Sequence, residues 1–403
     1  MTTRRGPLSG FKVIELAHVM AGPTCGLMLA DMGAEVIKVE KVPGGDVSRN
    51  FVPPEIEGES AAFMMMNRNK RGIAIDLKHE EGKAVLRRLV ASADALIENY
   101  RTGAMERLGL GYEALRQENP GLIYCEISGF GRSGPYAGRG GFDLIAQGMS
   151  GLMSITGEGE GRPPVKVGAP VTDITAGILG AMGILAAALE RQKTGQGQRV
   201  ETSLFEAGIV HTYWQSAIAL ATGTPPGPMG SAHPLSAPYQ AFQTADGWIT
   251  VGAANQANWL RLLQALEAPE LAEDPRFAGN AGRMSHLAEL EAVLSEIIRG
   301  RSSADWLERL EAAGVPAGPV LDVAQMHADP QTLARDMVVT LEHARAGRVK
   351  ALGLPVKFSG SPGEVSQAAP VYGADTRAIL AEHGYGEDEI EKLVSEGAVV
   401  AAD

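Results

Sequence analysis

The start of the chain alternates a short apolar strand, a loop, a helix and a second apolar strand. Both Phe11–Leu16 (FKVIEL) and Glu35–Glu40 (EVIKVE) contain β-branched and other apolar side chains, which is typical of buried strands. Between them, the Gly and Pro residues of Ala17–Pro23 predict a loop, and Thr24–Met32 predicts a helix. A strand, a helix and a strand in this order form the repeating unit of a parallel sheet.

The same alternation continues to about residue 200. Three further strands are predicted at Ile73–Leu77, Ala95–Glu98 and Leu122–Ile127, and an amphipathic helix at His79–Ser92. Because parallel strands are usually joined by helices, this pattern predicts an α/β fold with an open, Rossmann-like parallel sheet.

The pattern changes near residue 222, where a Pro- and Gly-rich stretch, Gly223–Pro238, predicts a linker. Asp246-Gly247 then lies between two alternating runs, which is a hairpin signal, and strands return at Met337–Leu341. A chain of 403 residues suits more than one domain. We therefore predict a large α/β domain in residues 1–222, a linker and a smaller inserted α+β domain in 223–325, and a C-terminal return to the large domain in 326–403.

The composition narrows the classes of partner. The formal net charge is −12, whereas a nucleic-acid-binding surface needs a basic surplus, so we expect no nucleic-acid partner. The two cysteines, Cys25 and Cys125, form no CxxC motif or Cys/His cluster, which disfavours a disulfide scaffold and a metal site.

The longest apolar run, Ile174–Leu189, is short for a bilayer-spanning segment, contains glycines and ends in Glu190–Lys193. These features favour a buried core helix over a membrane span. The N-terminus (MTTRRGPLSGFKVIEL) lacks the apolar region of a signal peptide. We therefore expect a cytoplasmic protein with no membrane partner.

Three common ligand-binding motifs are missing from the places where they would be needed. The turn after the first predicted strand reads AHVMAGPTCG and lacks the GxGxxG of a dinucleotide-binding fold. The sequence also contains no GxxxxGK[ST] phosphate loop and no GxSxG nucleophile elbow.

A single acid, Asp173, stands at the start of the apolar segment Ile174–Leu189. Aspartate is a favoured N-cap, so one interpretation is structural. The other is catalytic, because a helix N-terminus stabilises an oxyanion and a carboxylate in apolar surroundings is more nucleophilic. The recurrence of Gly177, Gly180 and Gly183 would let another backbone approach this helix and shield the acid from water.

Six stretches of the chain resemble the class III CoA-transferase family, which includes formyl-CoA transferase, carnitine CoA-transferase and 2-methylacyl-CoA racemase. They are LSGFKVIELAHVMAGP, DMGAEVIKVEKVPGGD, NRNKRGIAIDLK, ALIENYRTGAMERLGLG, ISGFGRSGPY and RQKTGQGQRVETSLFEA. With their order and spacing, the resemblance extends over nearly the whole chain. In that family the aspartate at the position of Asp173 is the nucleophile of the transferases. The resemblance therefore favours the catalytic interpretation and leaves a capping role open.

The resemblance implies that coenzyme A moves from an acyl-CoA to a free carboxylic acid. Asp173 would form a mixed anhydride with the acyl group and then an aspartyl–CoA thioester, from which the acceptor carboxylate receives CoA. CoA and acyl-CoA are substrates here, and no tightly bound cofactor and no metal are implied. The family also implies a homodimer of two interlocked chains.

Carried over by motif, the resemblance places Val19, Met20 and Ala21 at the pantetheine and thiol end of CoA. At the nucleotide end it places Lys41, Ile75, Lys78, Asn99, Tyr100 and Arg107. Without the resemblance, the cations in this set are typical of solvated surface charge. A basic cluster in an otherwise acidic protein favours a phosphate site. That cluster comprises Arg68, Lys70, Arg71 and Lys78.

The sequence departs from formyl-CoA transferase at three places. Gly140 stands nearest to the position of a CoA-contacting lysine, Met20 replaces a glutamine, and the GGGG loop has no counterpart. Met229–Pro234 (MGSAHP) is the candidate lid instead. These departures disfavour formyl and oxalyl substrates.

Racemases of this family pair the catalytic aspartate with a histidine in a GHD stretch, because racemisation needs a base on each face of the substrate. Here the stretch is GGFDL, and Phe142 occupies the histidine position. Asp143 remains and is predicted either to support the site or to be an exposed turn acid. The sequence thus favours a transferase, with a 2-methylacyl-CoA racemase as the alternative.

Lys166 precedes Asp173 by seven residues, where succinyl-CoA:glutarate-type members carry a basic residue. A second substrate carboxylate would need such a partner. The alternative is a surface lysine beside Pro163 and Pro164. The stretch that contains His233 also resembles this dicarboxylate-using branch, so Lys166, Asp143 and His233 are the predicted acceptor contacts. A non-catalytic acyl-CoA-binding protein is a further alternative, which the intact Asp173 disfavours.

Overall fold

The computed structural model describes residues 5–159 and 161–402. They form two compact units. The large unit contains the described residues up to Gly151, Val167–His211, and the described residues from Pro330 onward. The small unit contains Leu152–Lys166, apart from residue 160, and Thr212–Asp329. The domain boundaries predicted at residues 222 and 325 stay a prediction.

The described residues form fourteen strands. In chain order they are β1 (Lys12–Glu15), β2 (Glu35–Lys41), β3 (Glu55–Ile56), β4 (Glu59–Ser60), β5 (Lys70–Ile75), β6 (Ala95–Glu98), β7 (Ile123–Ser128), β8 (Arg199–Ser203), β9 (Tyr239–Gln243), β10 (Trp248–Gly252), β11 (Ala317–Pro319), β12 (Val338–His343), β13 (Gly347–Leu352) and β14 (Val399–Val400).

The same residues form seventeen α-helices. They are α1 (Ala21–Asp31), α2 (Ala61–Asn67), α3 (Glu80–Val90), α4 (Ala104–Arg107), α5 (Tyr112–Glu118), α6 (Asp143–Met149), α7 (Val171–Thr194), α8 (Leu204–Val210), α9 (Tyr213–Thr222), α10 (Gln256–Ala265), α11 (Asn280–Ser285), α12 (Leu287–Ile298), α13 (Ser303–Ala312), α14 (Val323–Ala328), α15 (Pro330–Ala334), α16 (Thr376–Glu382) and α17 (Glu387–Ser395).

The large unit is built on a seven-stranded sheet in the order β14-β5-β2-β1-β6-β7-β8. Its strands run parallel except β14, which pairs antiparallel with β5 at Val399 and Ile75. The predicted α/β fold with a parallel sheet is therefore confirmed. Successive side chains of a strand point to opposite faces, so Val13 and Ile14 belong to two different core clusters.

Helix α7 packs against α1 on one face of this sheet, and its glycines make the close approach possible. A Cβ added at Gly177 would lie 2.5 Å from the carbonyl oxygen of Ala21, and one at Gly183 would lie 2.6 Å from a methyl carbon of Val200. Neither position has room for a larger residue. The predicted thin face of this helix is thus confirmed at both positions.

By length and hydropathy, α7 alone among the described helices could cross a membrane. The helix nevertheless buries a row of small and apolar side chains within the large unit. These buried residues are Thr172, Ala176, Gly177, Gly180, Ala181, Ile184 and Ala187. One face of α7 thus packs in the core of the large unit, as the sequence predicts.

In the small unit, an antiparallel sheet of three strands in the order β11-β10-β9 packs with helices around a separate core. The strands β9 and β10 form the predicted hairpin, with Gln243 opposite Trp248. Asp246, in the turn between them, accepts a hydrogen bond from the Ser303 backbone amide at 2.8 Å. The unit is therefore of the predicted α+β type.

Candidate active site

Asp173 lies in the first turn of α7, which begins at Val171 and has Pro170 at its cap position. The interpretation of Asp173 as the N-cap is therefore wrong, because Asp173 is the third residue of the helix. Pro170 makes no side-chain capping bond. The helix begins earlier than the sequence indicates because its first turn is held by a residue from another helix.

That residue is Asp143, the first residue of α6. Its Oδ1 accepts hydrogen bonds from the Thr172 amide at 3.0 Å and from the Thr172 hydroxyl at 2.7 Å. Its Oδ2 accepts from the Gln147 side chain at 2.7 Å, and Gln147 in turn accepts from the Val167 amide at 2.9 Å. Asp143 is thus a supporting residue of the start of α7, and its interpretation as an exposed turn acid is wrong.

The carboxylate of Asp173 has a different environment from that of Asp143. Burial raises the pKa of Asp173 from 3.8 to about 7, and the nearby Asp143 carboxylate adds to the rise. Within residues 5–159 and 161–402, no group donates a hydrogen bond to the side-chain carboxylate of Asp173. Asp173 is thus a desolvated acid whose oxygens are not committed to a structural role.

The start of α1 lies one helical turn from Asp173. Asp173 and Gly177 are four residues apart and share a face of α7. The backbone of Ala21 abuts that face at Gly177, as the 2.5 Å distance to an added Cβ shows. Asp173 and the predicted thiol-end contacts Val19, Met20 and Ala21 therefore occupy neighbouring places in the large unit.

The sheet topology places these residues at a switch point. The chain builds the sheet from β1 outward through β2 and β5, and then crosses to β6 on the other side of β1. In open α/β sheets, ligands bind in the crevice at the carboxyl ends of the strands where the order reverses. Here that crevice lies between the residues that follow β1 and those that follow β6.

The two loops at the switch point are tied together by reciprocal hydrogen bonds. The His18 amide donates to Asn99 Oδ1 at 3.0 Å, and Asn99 Nδ2 donates back to the His18 carbonyl at 2.8 Å. The rings of His18 and Tyr100 meet edge to face, with centroids 4.8 Å apart. Asn99 therefore has a structural role in addition to its predicted contact with CoA.

The remaining predicted nucleotide contacts are spread along the same edge of the sheet. Lys41 ends β2, Ile75 ends β5, and the exposed Lys78 follows three residues later. Arg107 is exposed at the end of α4. Because β1, β2, β5 and β6 are neighbours and parallel, their carboxyl ends share one edge. The side chains of Lys41, Lys78 and Arg107 are all exposed to solvent on the large unit.

The predicted basic cluster does not assemble as a phosphate site. Arg68 is buried and pairs with Asp31 at 2.6 Å, Lys70 is buried and pairs with Glu15 at 2.8 Å, and Arg71 pairs with Glu382 at 2.6 Å. Carboxylates thus engage three of the four cations, and Lys78 is the exposed member. The four cations are close in sequence, which suggested a common ligand-binding patch, but three of them form separate structural ion pairs.

Two predicted acceptor contacts belong to the small unit. Lys166 is exposed. His233 lies in the predicted lid, Met229–Pro234, whose Gly230 amide donates to the Gly157 carbonyl at 2.8 Å. The Nδ1 atom of His233 accepts from the Leu235 amide at 3.1 Å. Because Nδ1 accepts this bond, the ring proton of a neutral His233 resides on Nε2, which is then a hydrogen-bond donor.

Two features of the large unit escaped prediction. Gln147 and Thr172, both fully buried, connect Asp143 to the start of α7. His211 Nε2 lies 2.8 Å from the Thr175 hydroxyl in the second turn of the helix. The sequence carries a weak signal for the first, since Asp143 and Gln147 are four residues apart and can share a helix face.

Comparison with known proteins places this geometry in context. The sequence pattern that describes CoA-transferase family III matches residues 8–376. Succinate--glutarate CoA-transferase of Agrobacterium fabrum is 42% identical over 95% of this chain and 97% of its own length. Human succinyl-CoA:glutarate CoA-transferase is 36% identical over 98% of this chain and 90% of its own. The crystal structure of a CAIB/BAIF family protein from Brucella suis has a TM-score of 0.84 and 41% identity, covering 94% of this chain and 100% of that one.

Proposed function

Because the chain belongs to CoA-transferase family III, we propose that it transfers coenzyme A from succinyl-CoA, or another dicarboxylyl-CoA, to a carboxylic acid acceptor. The names of the relatives from Agrobacterium fabrum and human support a dicarboxylate on both sides of the exchange. The observation that carries the mechanism is the desolvated carboxylate of Asp173, one helical turn from the start of α1.

Transfer through Asp173 needs four carbonyl substitutions. An Asp173 oxygen attacks the donor thioester, whose C–S bond breaks to give an anhydride and the CoA thiolate. The thiolate attacks the aspartyl carbonyl, releasing the donor acid and leaving an aspartyl–CoA thioester. The acceptor carboxylate attacks that thioester, forming a second anhydride and freeing the thiolate. The thiolate then attacks the acceptor acyl carbon, so the new acyl-CoA leaves and the Asp173 carboxylate is restored.

The contrast between the two acids supports this assignment of roles. Asp143 uses both oxygens to hold Thr172 and Gln147, so a reaction at Asp143 would disturb the start of α7. The Asp173 carboxylate can be acylated without the loss of a structural hydrogen bond. The racemase alternative gains no support, because Phe142, at the position of the second base, is an apolar side chain that is 78% exposed.

The direct test is a panel of acyl-CoA donors crossed with carboxylic acids and read by mass spectrometry. Succinyl-CoA with a dicarboxylate acceptor should give the new acyl-CoA, and hydroxylamine should trap a hydroxamate on Asp173. A protein that only binds acyl-CoA would yield neither product. Exchange of the α-hydrogen of 2-methylacyl-CoA with deuterium, without transfer, would establish the racemase instead.

We further propose that Val19, Met20 and Ala21 line the thiol end of CoA, and that a second set contacts its nucleotide end. The second set comprises Lys41, Ile75, Lys78, Asn99, Tyr100 and Arg107. The position of these residues along one edge of the sheet supports the assignment. The exposed cations among them can form charge-assisted hydrogen bonds to the phosphates of CoA. The steps of transfer require no metal and no tightly bound cofactor.

Lys166 and His233 are proposed to bind the second carboxylate of dicarboxylic substrates. Lys166→Met should lower kcat/KM for succinate by about ten- to a hundredfold, because a charge-assisted hydrogen bond contributes roughly 1.5–3 kcal/mol. Butyrate, a monoacid of the same chain length, should be affected far less. Steady-state kinetics with each acceptor measure the difference.

Arg162→Met is the matched control for Lys166→Met, since Arg162 is an exposed cation four residues away that pairs with Glu158. It should leave the ratio of succinate to butyrate turnover unchanged. Equal losses for both acids in Lys166→Met would show that Lys166 does not recognise the second carboxylate.

An interlocked homodimer is also proposed. Ile178, Met182 and Leu189 are 48%, 59% and 62% exposed and form one stripe along α7, opposite to its buried face. An exposed apolar stripe of this kind is typical of a protein–protein interface. The family resemblance favours a second copy of the chain as the partner. Sedimentation at micromolar concentration should give twice the mass of the chain.

Threading can be distinguished from ordinary dimerisation by subunit exchange. Two differently tagged preparations of an interlocked dimer should form no hybrid when mixed in buffer, because exchange requires unfolding. Joint unfolding and refolding is the positive control. Hybrids that appear in buffer would argue against interlocking, and an active monomer at micromolar concentration would contradict the dimer itself.

A further inference from the structure

The backbone of Val19 has an unusual conformation for its residue type. Its φ angle is 67°, in the left-handed region, where a β-branched side chain crowds the backbone. Val19 lies in the loop between β1 and α1, directly before the predicted thiol-end contacts Met20 and Ala21. Such a conformation persists only where surrounding contacts hold it.

The carboxylate of Asp46 holds this peptide. The Val19 amide donates to Asp46 Oδ1 and Oδ2 at 3.2 and 3.4 Å. Asp46 is buried and is itself fixed by the Ser48 amide and hydroxyl, both at 2.8 Å, and by Lys38 Nζ at 2.8 Å. Burial alone would raise the pKa of Asp46, but the Lys38 ammonium and the Ser48 donors lower it below its ordinary value.

The charge on Asp46 belongs to a buried network between neighbouring strands. Lys38, on β2, also donates to Glu15 at 3.1 Å and to the Ala17 carbonyl at 2.8 Å. Lys70, on β5, pairs with the other oxygen of Glu15 at 2.8 Å. The network therefore holds the loop between β1 and α1 through the Ala17 carbonyl and through Asp46. Asn99 holds the residue before Val19, His18, by two further hydrogen bonds.

We propose that Asp46 is a positioning residue of the transferase: it holds the Val19 peptide in the left-handed conformation that directs the start of α1 toward the thiol end of acyl-CoA. This inference rests on the proposed function, since Val19, Met20 and Ala21 are its CoA contacts. In this role Asp46 acts on the substrate indirectly, through its hydrogen bonds to the Val19 amide.

Asp46→Ala should raise KM for acyl-CoA at least about tenfold, the effect of losing a charge-assisted hydrogen bond, and change KM for the acid acceptor less than about twofold. Asp94→Ala is the matched control. Asp94 likewise accepts a backbone amide, that of Lys12 at 2.7 Å, and pairs with Arg191 at 2.7 Å, but at the amino end of β1. It should leave KM for acyl-CoA unchanged.

A double-mutant cycle separates positioning from general stabilisation. Glycine adopts a positive φ without strain, so Val19→Gly no longer needs Asp46 to hold the peptide. Asp46→Ala should therefore cost less than about threefold in the Val19→Gly background, against tenfold or more in the wild type. The same factor in both backgrounds would overturn the proposal, because Asp46 would then act through Lys38 or through stability alone.

Hydrogen exchange of the unliganded protein gives a readout that does not depend on activity. Asp46→Ala should increase exchange in a peptide that spans residues 16–24, and Asp94→Ala should not. If Asp46→Ala does not fold, Asp46→Asn replaces it in the kinetic and the hydrogen-exchange experiments. Asparagine keeps the shape of the side chain but loses the charge opposite Lys38. Unchanged exchange would refute the positioning role, whereas wild-type protein that transfers no CoA would refute the proposed function instead.

Discussion

Asp173→Ala should lower the turnover of CoA transfer by more than about a hundredfold, the usual consequence of losing a covalent nucleophile. The fold should survive, because the start of α7 is held by Asp143 and Thr172 and not by Asp173. CoA affinity should also be retained. Transfer assays, circular dichroism and calorimetric titration with CoA measure the three properties.

Glu190→Ala is the matched control for Asp173→Ala, since it removes an acid from the last turns of the same helix. It should retain wild-type turnover. Only the protein with Asp173 should yield an aspartyl hydroxamate with hydroxylamine. If Asp173→Ala keeps more than about a hundredth of the wild-type turnover, Asp173 is not the nucleophile.

The sheet could be predicted because buried parallel strands are short, continuous apolar runs. The predicted strands Phe11–Leu16 and Ala95–Glu98 correspond closely to β1 and β6. Strand β14 escaped prediction because its two residues are too short to show a pattern, and only pairing with β5 defines it. Helix α1 begins at Ala21, before the predicted Thr24, because proline is tolerated in a first turn.

The start of α7 could not be predicted because its cap is tertiary. Asp143 comes from a separate helix, and no local pattern around Pro170 announces it. The buried charges were missed for a related reason, although a signal existed. Glu15 and Lys38 interrupt otherwise apolar strands, and a charge inside a strand covered on both faces must find a partner of opposite sign.

The raised pKa of Asp173 predicts how activity depends on pH. Burial and, second, the Asp143 carboxylate raise this pKa to about 7, and only the ionised form is a nucleophile. In the free enzyme, kcat/KM should be constant above about pH 8 and fall about tenfold per pH unit well below 7. Asp143→Asn, which removes the nearby charge, should move the profile toward lower pH. A profile that is flat between pH 5 and 8 would contradict a desolvated nucleophile.

The same pKa makes a prediction about stability. The folded value of about 7 exceeds the ordinary 3.8, so the contribution of Asp173 to stability is fully present below about pH 4 and is lost as the pH rises through 7. Since one pKa unit corresponds to 1.36 kcal/mol, the loss is at most about 4 kcal/mol. Asp173→Asn, which stays neutral, should therefore gain stability relative to wild type between pH 4 and 8 in denaturant titrations. An advantage that does not change with pH would show that Asp173 is solvated, and a solvated carboxylate would lack the reactivity that transfer through an anhydride requires.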